Sequence, residues 1–131
     1  MGSSDRRYTL AEATAMLETL AVVVTEAREA KGVLVERELV ERLAENAPGN
    51  GGGAEAERFT RAALRFSKAL GQLDHWDIVV RDLDEGLCDF PADRQGRLVY
   101  LCWKLGEDSI GFWHEVAEGF QGRQPVDELT L

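Results

Sequence analysis

Residues 76–115 read WDIVVRDLDEGLCDFPADRQGRLVYLCWKLGEDSIGFWHE, and this stretch decides the fold. Through Ile78–Leu83, Gly86–Pro91, Arg97–Leu105 and Ile110–Glu115 the side chains follow a period of two, which belongs to strands rather than helices. Asp84-Glu85-Gly86, Ala92–Gly96 and Gly106–Ser109 supply the turns between them. Connections this short join antiparallel neighbours, so the stretch predicts a small antiparallel meander of three or four strands.

Upstream of Trp76 the period is helical. Thr9-Leu10-Ala11-Glu12 has the spacing of a capping box, in which the Thr9 hydroxyl and the Glu12 carboxylate each satisfy a free backbone N–H. Leu10, Ala13, Leu17, Leu20, Val24 and Ala27 then recur at alternating spacings of three and four, one narrow apolar stripe. Lys31-Gly32 interrupts it, and the stripe resumes displaced through Leu34, Leu39 and Leu43, which predicts a kink or fray point rather than a stop. The segment 47–53, APGNGGG, is a clear breaker. After it Phe59, Ala62, Phe66, Ala69, Leu73 and Trp76 mark a second stripe. Two helices over residues 9–46 and 54–75, joined by a short loop, predict an antiparallel helical hairpin. The expected architecture is α+β in a single domain, residues 1–131: the hairpin, a sheet over 78–115, and a tail over 116–131 that wraps as loop.

Composition narrows the function classes. The 131 residues carry 24 Asp+Glu against 15 Lys+Arg, a formal charge of −9. An acidic chain lacks the basic face that phosphate neutralisation needs, so no nucleic acid is expected as partner, nor an anionic membrane surface. Leu20-Ala21-Val22-Val23-Val24 is too short to span a bilayer, and no apolar run follows Arg6-Arg7 as a secretory signal requires. The expected location is cytoplasmic, with Cys88 and Cys102 as buried thiols rather than a disulfide.

The simplest registers set Pro91 opposite Arg97 and Leu105 opposite Ile110. One face then carries Leu87, Asp89, Val99, Leu101, Trp103, Ile110, Phe112 and His114; the other carries Cys88, Phe90, Leu98, Tyr100, Cys102, Lys104, Trp113 and Glu115. Both are largely apolar, yet one hairpin covers only one, so the second must be covered by the tail, another subunit or a ligand. Asp89 and His114 share a face, about 10 Å apart at their Cα atoms across the middle strand. A carboxylate and an imidazole in apolar surroundings demand partners.

That demand makes Asp89 and His114 the candidates for acid–base chemistry and for a divalent metal site, with Asp82 or Glu107 as additional ligands. The competing reading is a structural Asp–His pair. His114-Glu115 cannot ligate one ion together, because strand neighbours point to opposite faces. Thiol catalysis is disfavoured, since these registers put both cysteines on the face opposite His114. An anion site at Gly49–Gly53 is disfavoured too: the loop lacks a P-loop lysine, follows a helix, and precedes Glu55 and Glu57 at the positive helix end. Trp103, Glu107 and Arg123 are candidate ligand-binding residues. Arg123 alternatively pairs with Asp89 or Glu115 to lock the tail, and the Trp103, Phe112, Trp113, Phe120 cluster alternatively forms core.

Gly86-Leu87-Cys88-Asp89-Phe90-Pro91-Ala92, Leu101-Cys102-Trp103-Lys104-Leu105-Gly106-Glu107, Phe112-Trp113-His114-Glu115 and Gly119-Phe120-Gln121-Gly122-Arg123-Gln124-Pro125 together resemble a bacterial family known only as a domain of unknown function. The resemblance extends to the opening at Tyr8–Ala13 and the loop at Asn50–Gly53, and carries no activity with it. The expected function is a non-enzymatic interaction module forming a homodimer; the alternative is a metal- or small-ligand-binding enzyme centred on Asp89 and His114.

Overall fold

The computed structural model describes residues 6–43 and 53–128. Two helices, α1 (Leu10–Leu43) and α2 (Gly53–His75), precede five strands: β1 (Val79–Asp82), β2 (Leu87–Arg94), β3 (Arg97–Lys104), β4 (Phe112–Glu115) and β5 (Gln124–Pro125). The strands lie in sequence order and every pair is antiparallel. The predicted helical hairpin and meander are therefore both present, with a two-residue fifth strand where the tail is expected as loop. Most of the breaker at 47–53 lies outside the described residues.

The start of α1 follows the capping box. Glu12 N–H donates to Thr9 Oγ1 at 3.0 Å, and Thr9 N–H donates to Glu12 Oε1 at 2.9 Å. The helix runs unbroken through Lys31-Gly32, 34 residues and about 51 Å long. Its buried positions are Ala13, Leu17, Leu20, Val24, Ala27 and Ala30, the predicted stripe shifted one step at each end. The first four pack with Leu73 and Ile78 against the sheet. Farther along, Ala27 and Ala30 on α1 and Ala62 and Ala69 on α2 are buried between the helices, where small side chains permit close approach. Arg58–Glu36 and Arg65–Glu29 pairs fix the antiparallel sense: as one helix number rises, the other falls. Beyond the sheet Leu34 of the displaced stripe is half-buried, while Leu39 and Leu43 are exposed.

Both hairpin registers differ from the simplest ones, and Pro91 is the reason. It sits inside β2 opposite Tyr100 instead of ending the strand. Strand β1 reaches only as far as Asp89, so Pro91 lies where its missing N–H deprives no neighbour. Its carbonyl accepts from Tyr8 N–H at 2.7 Å, and the Tyr8 ring stands edge-on to Phe90 at 5.2 Å. The strand continues to Arg94, and the turn narrows to Gln95-Gly96 with both residues at positive φ (54° and 81°), the two-residue turn that suits strand twist. In the next hairpin Leu101 faces Trp113 and Tyr100 faces His114.

Relative to the expected arrangement, β3 is turned over while β2 and β4 keep their faces. The inner face, toward the helices, carries Cys88, Phe90, Ala92, Val99, Leu101, Trp103 and Trp113, all buried in one core. The outer face carries Asp89, Tyr100, Cys102, Phe112 and His114. Two equally apolar faces therefore do not exist: the hydrophobic side chains concentrate inward, and the outer face is mixed. Its centre is nevertheless buried, with Asp89 at 1% exposure and His114 at 2%. The chain after β4 contributes cover through Val116, Gly119 and Phe120 beside them and through β5 on the edge of β4.

Gly86 closes the turn that leads into β2. Its φ of 70° favours glycine, and a Cβ there would collide with that of Leu105, whose N–H donates to the Gly86 carbonyl at 2.9 Å.

Candidate functional site

The outer face holds the polar cluster that apolar packing does not explain. Between Val80 and Asp82 the β1–β2 register slips by one residue, leaving Arg81 as the bulged position. A bulge re-aims a side chain. Here the Arg81 guanidinium lies over the Tyr100 ring at 4.9 Å, with Nε 2.7 Å from Asp89 Oδ2. The same oxygen lies 2.9 Å from His114 Nε2, so one buried carboxylate oxygen serves two bases on either side. His114 Nδ1 is 2.8 Å from the carbonyl of Glu115. That residue is itself anchored by Arg97, whose Nε and Nη2 donate to the two carboxylate oxygens at 2.9 and 2.7 Å. The Arg97 hydrogen bonds hold the Glu115 carboxyl below the ordinary carboxylate range.

Both nitrogens of His114 therefore face oxygens. A backbone carbonyl only accepts, so a hydrogen bond to Glu115 requires a proton on Nδ1, and one to Asp89 requires a second proton between Nε2 and the carboxylate. That proton belongs to the pair, on the imidazole or on the carboxyl. Without it, a ring lone pair would face an oxygen lone pair at hydrogen-bond distance. Among the described residues Asp89 Oδ1 has no N–H or O–H donor. Cys102, opposite Asp89 on β3, is the adjacent thiol. Burial, and then the charge of Asp89, push its pKa up to about 12; Cys88 on the inner face is raised to about 12 for the same two reasons. Both thiols are free and stay protonated near neutral pH, so neither is an activated nucleophile. Arg81 is held firmly charged: partial burial opposes its charge, but the hydrogen bond and charge of Asp89 outweigh that and raise its pKa.

Arg81, Asp89, Cys102 and His114 wall a cavity of about 190 Å³. Leu87, Val116, Gly119 and Phe120 complete its lining. Asp89, Cys102 and His114 are its buried polar side, while half-exposed Arg81 and the apolar Val116 and Phe120 lie toward solvent.

Of the sequence candidates, Asp89 and His114 come together as a bonded pair, although Tyr100 and Cys102 stand between them on the middle strand rather than Leu101 and Val99. Cys102 shares their face, against expectation, because β3 is turned over. Trp103 points the other way: it is 1% exposed in the core, and its Nε1 donates to the Glu107 carbonyl at 2.9 Å. The Glu107 carboxylate accepts from Lys104 N–H at 2.9 Å and serves that turn. Arg123 pairs with neither Asp89 nor Glu115, which Arg81 and Arg97 already occupy; its guanidinium lies 3.8 Å from the Phe120 ring centre and 4.5 Å from that of Phe112. Arg81, Tyr100 and Cys102 are the residues that sequence reasoning missed. The one available signal was an arginine interrupting an apolar strand eight residues before a buried aspartate.

In this arrangement neither nitrogen of His114 presents a free lone pair to a divalent ion. A metal needs a ring lone pair, and both nitrogens of His114 are committed to oxygen acceptors. Among the described residues no group of three or more His, Cys, Asp or Glu side chains is placed to hold a metal. Asp82 accepts from the Glu85 N–H within its own turn. Among the same residues no helix is long and apolar enough to cross a membrane.

Neither the curated proteins nor the solved structures compared with this chain contain a match. The family model described as uncharacterized conserved protein (DUF2203) matches residues 6–126, a span that includes both helices, all five strands and every residue of the cavity. The chain therefore belongs to the DUF2203 family of uncharacterized conserved proteins.

Proposed function

We propose that this chain is a small-ligand-binding protein whose site is the outer-face cavity walled by Arg81, Asp89, Cys102 and His114. The observation that carries the reading is a nearly fully buried Asp–His pair, bonded to a half-exposed arginine, in a cavity otherwise lined mostly by apolar side chains. Burying such groups costs stability that well-packed hydrophobic side chains would not. Convergent polar groups inside a concave, mostly apolar recess are what a ligand site requires. Two free buried thiols suit a reducing compartment such as the cytoplasm. The test is a fragment screen by protein-observed NMR on the full chain. Ligands that shift the His114 ring together with the Cys102 and Gly119 amides support the reading. A library whose hits all fall elsewhere, or that yields none, removes it.

Self-association is the second reading, favoured by one observation. Val35, Leu39 and Leu43 lie four residues apart on the far half of α1, at 56, 53 and 80% exposure, a stripe without a partner among the described residues. A second copy packing its own stripe against this one would make a homodimer. Sedimentation of the full chain over a wide concentration range should then show a dimer that Leu39→Glu abolishes. A concentration-independent monomer would rule it out.

A further inference from the structure

Resting on the ligand-binding reading, we infer that the cavity takes a small monoanionic acid: a carboxylate seated on Arg81, with a short apolar stem against Leu87, Val116 and Phe120. Three observations converge on that class.

The first is charge. Arg81, Asp89 and His114 share one carboxylate oxygen, and with both His114 contacts made as hydrogen bonds the pair holds one shared proton. Whether that proton sits on the imidazole or on the carboxyl, the three groups together carry one net positive charge. Arg123 and Glu107, both near Cys102, offset one another. The chain as a whole is at −9, so the cluster is a local exception to its own field. A cationic ligand meets repulsion here, and a monoanion restores neutrality.

The second is geometry. The Arg81 guanidinium is fixed by Asp89 at Nε and lies over Tyr100, so its orientation is set before any ligand arrives. Its side chain is 43% exposed, unlike those of Asp89 and His114, so Arg81 is the charged group that a ligand can reach. A planar guanidinium held in one orientation matches the two oxygens of a carboxylate.

The third is the wall. Val116 is 54% exposed and Phe120 47%, apolar surface next to a charge. A bare inorganic anion would leave that surface wet, whereas an alkyl stem covers it.

The experiment titrates the full-length chain by NMR, at constant pH and ionic strength, with butanoate, butanamide and butylammonium, which share a stem and differ in charge. Acetate and inorganic phosphate are the stemless arms. Butanoate should shift the His114 ring and the Gly119 amide saturably, at least about tenfold more tightly than either same-stem analogue and more tightly than acetate or phosphate. Arg81→Gln should weaken butanoate about tenfold or more while unfolding close to the parent, and Arg81→Lys should recover part of the loss. Equal binding of butanamide or butylammonium overturns the charge argument, and equal binding of phosphate overturns the stem. If butanoate leaves the cavity unperturbed while uncharged fragments still enter it, this inference fails and the ligand-binding reading stands. If no fragment of any charge enters, both fail.

Discussion

Asp89→Ala lowers the unfolding free energy by about 3–5 kcal/mol, the usual cost of removing one partner from a buried pair. The loss concentrates on His114, which is 2% exposed and has Asp89 as its only Nε2 partner among the described residues. With the carboxylate gone, the ring either buries a charge with one bond or sheds its proton and leaves a nitrogen unsatisfied. The Arg81 arm contributes little of the penalty, because its side chain is 43% exposed and water replaces what it loses. Asp89→Asn, which preserves an acceptor for Nε2, should cost about 1–2 kcal/mol, and Arg81→Gln about 1 kcal/mol or less. Urea unfolding followed by circular dichroism gives all three, with an unchanged slope confirming that only stability moved. An Asp89→Ala midpoint within experimental error of the parent would show that the pair is not the buried unit described above.

Trp103→Ala belongs in the same range, about 3–5 kcal/mol, by a different mechanism. The ring is 1% exposed, packs in the main core, and ties its indole N–H to the Glu107 carbonyl across the β3–β4 turn. Truncation opens a cavity where α1 and the sheet meet. Trp103→Phe keeps most of the buried area and frees an acceptor on an exposed residue that water can reach, so its cost should be about 1–2 kcal/mol. This pair also separates the two roles open to Trp103. A ligand contact predicts weaker binding with stability intact; a core position predicts the reverse. Butanoate affinity should be unchanged in Trp103→Phe, measured on the folded fraction.

Much of the fold was legible because its signals are local. Thr9 and Glu12 cap α1 through atoms three residues apart, a geometry the chain carries wherever it goes. The stripe from Ala13 to Ala27 follows from the helical period alone. The change of period at Trp76 places the boundary between hairpin and sheet. Strand registers are another matter, because they depend on which residues make the turn. Pro91-Ala92-Asp93 has the composition of a turn, yet it is strand, since Tyr8 reaches back from some eighty residues earlier to use the Pro91 carbonyl. No local rule announces that contact.

The site shows the same division. Asp89 and His114 were identifiable as polar residues in apolar strands, and two offsets in register, each of which alone would have parted them, cancel and leave them on one face. Arg81, Tyr100 and Cys102 were not identifiable, since each depends on β3 being turned over or on the bulge in β1.

By itself the amino-acid order determined a helical hairpin, a following meander, an acidic surface and two ionisable residues that water could not be allowed to keep. Only the tertiary structure decided which side of the sheet each strand shows and which arginine meets the carboxylate. The physical reason is that helix period and capping act over three or four residues, while a strand's facing changes with a single-residue slip whose energy is set by distant partners.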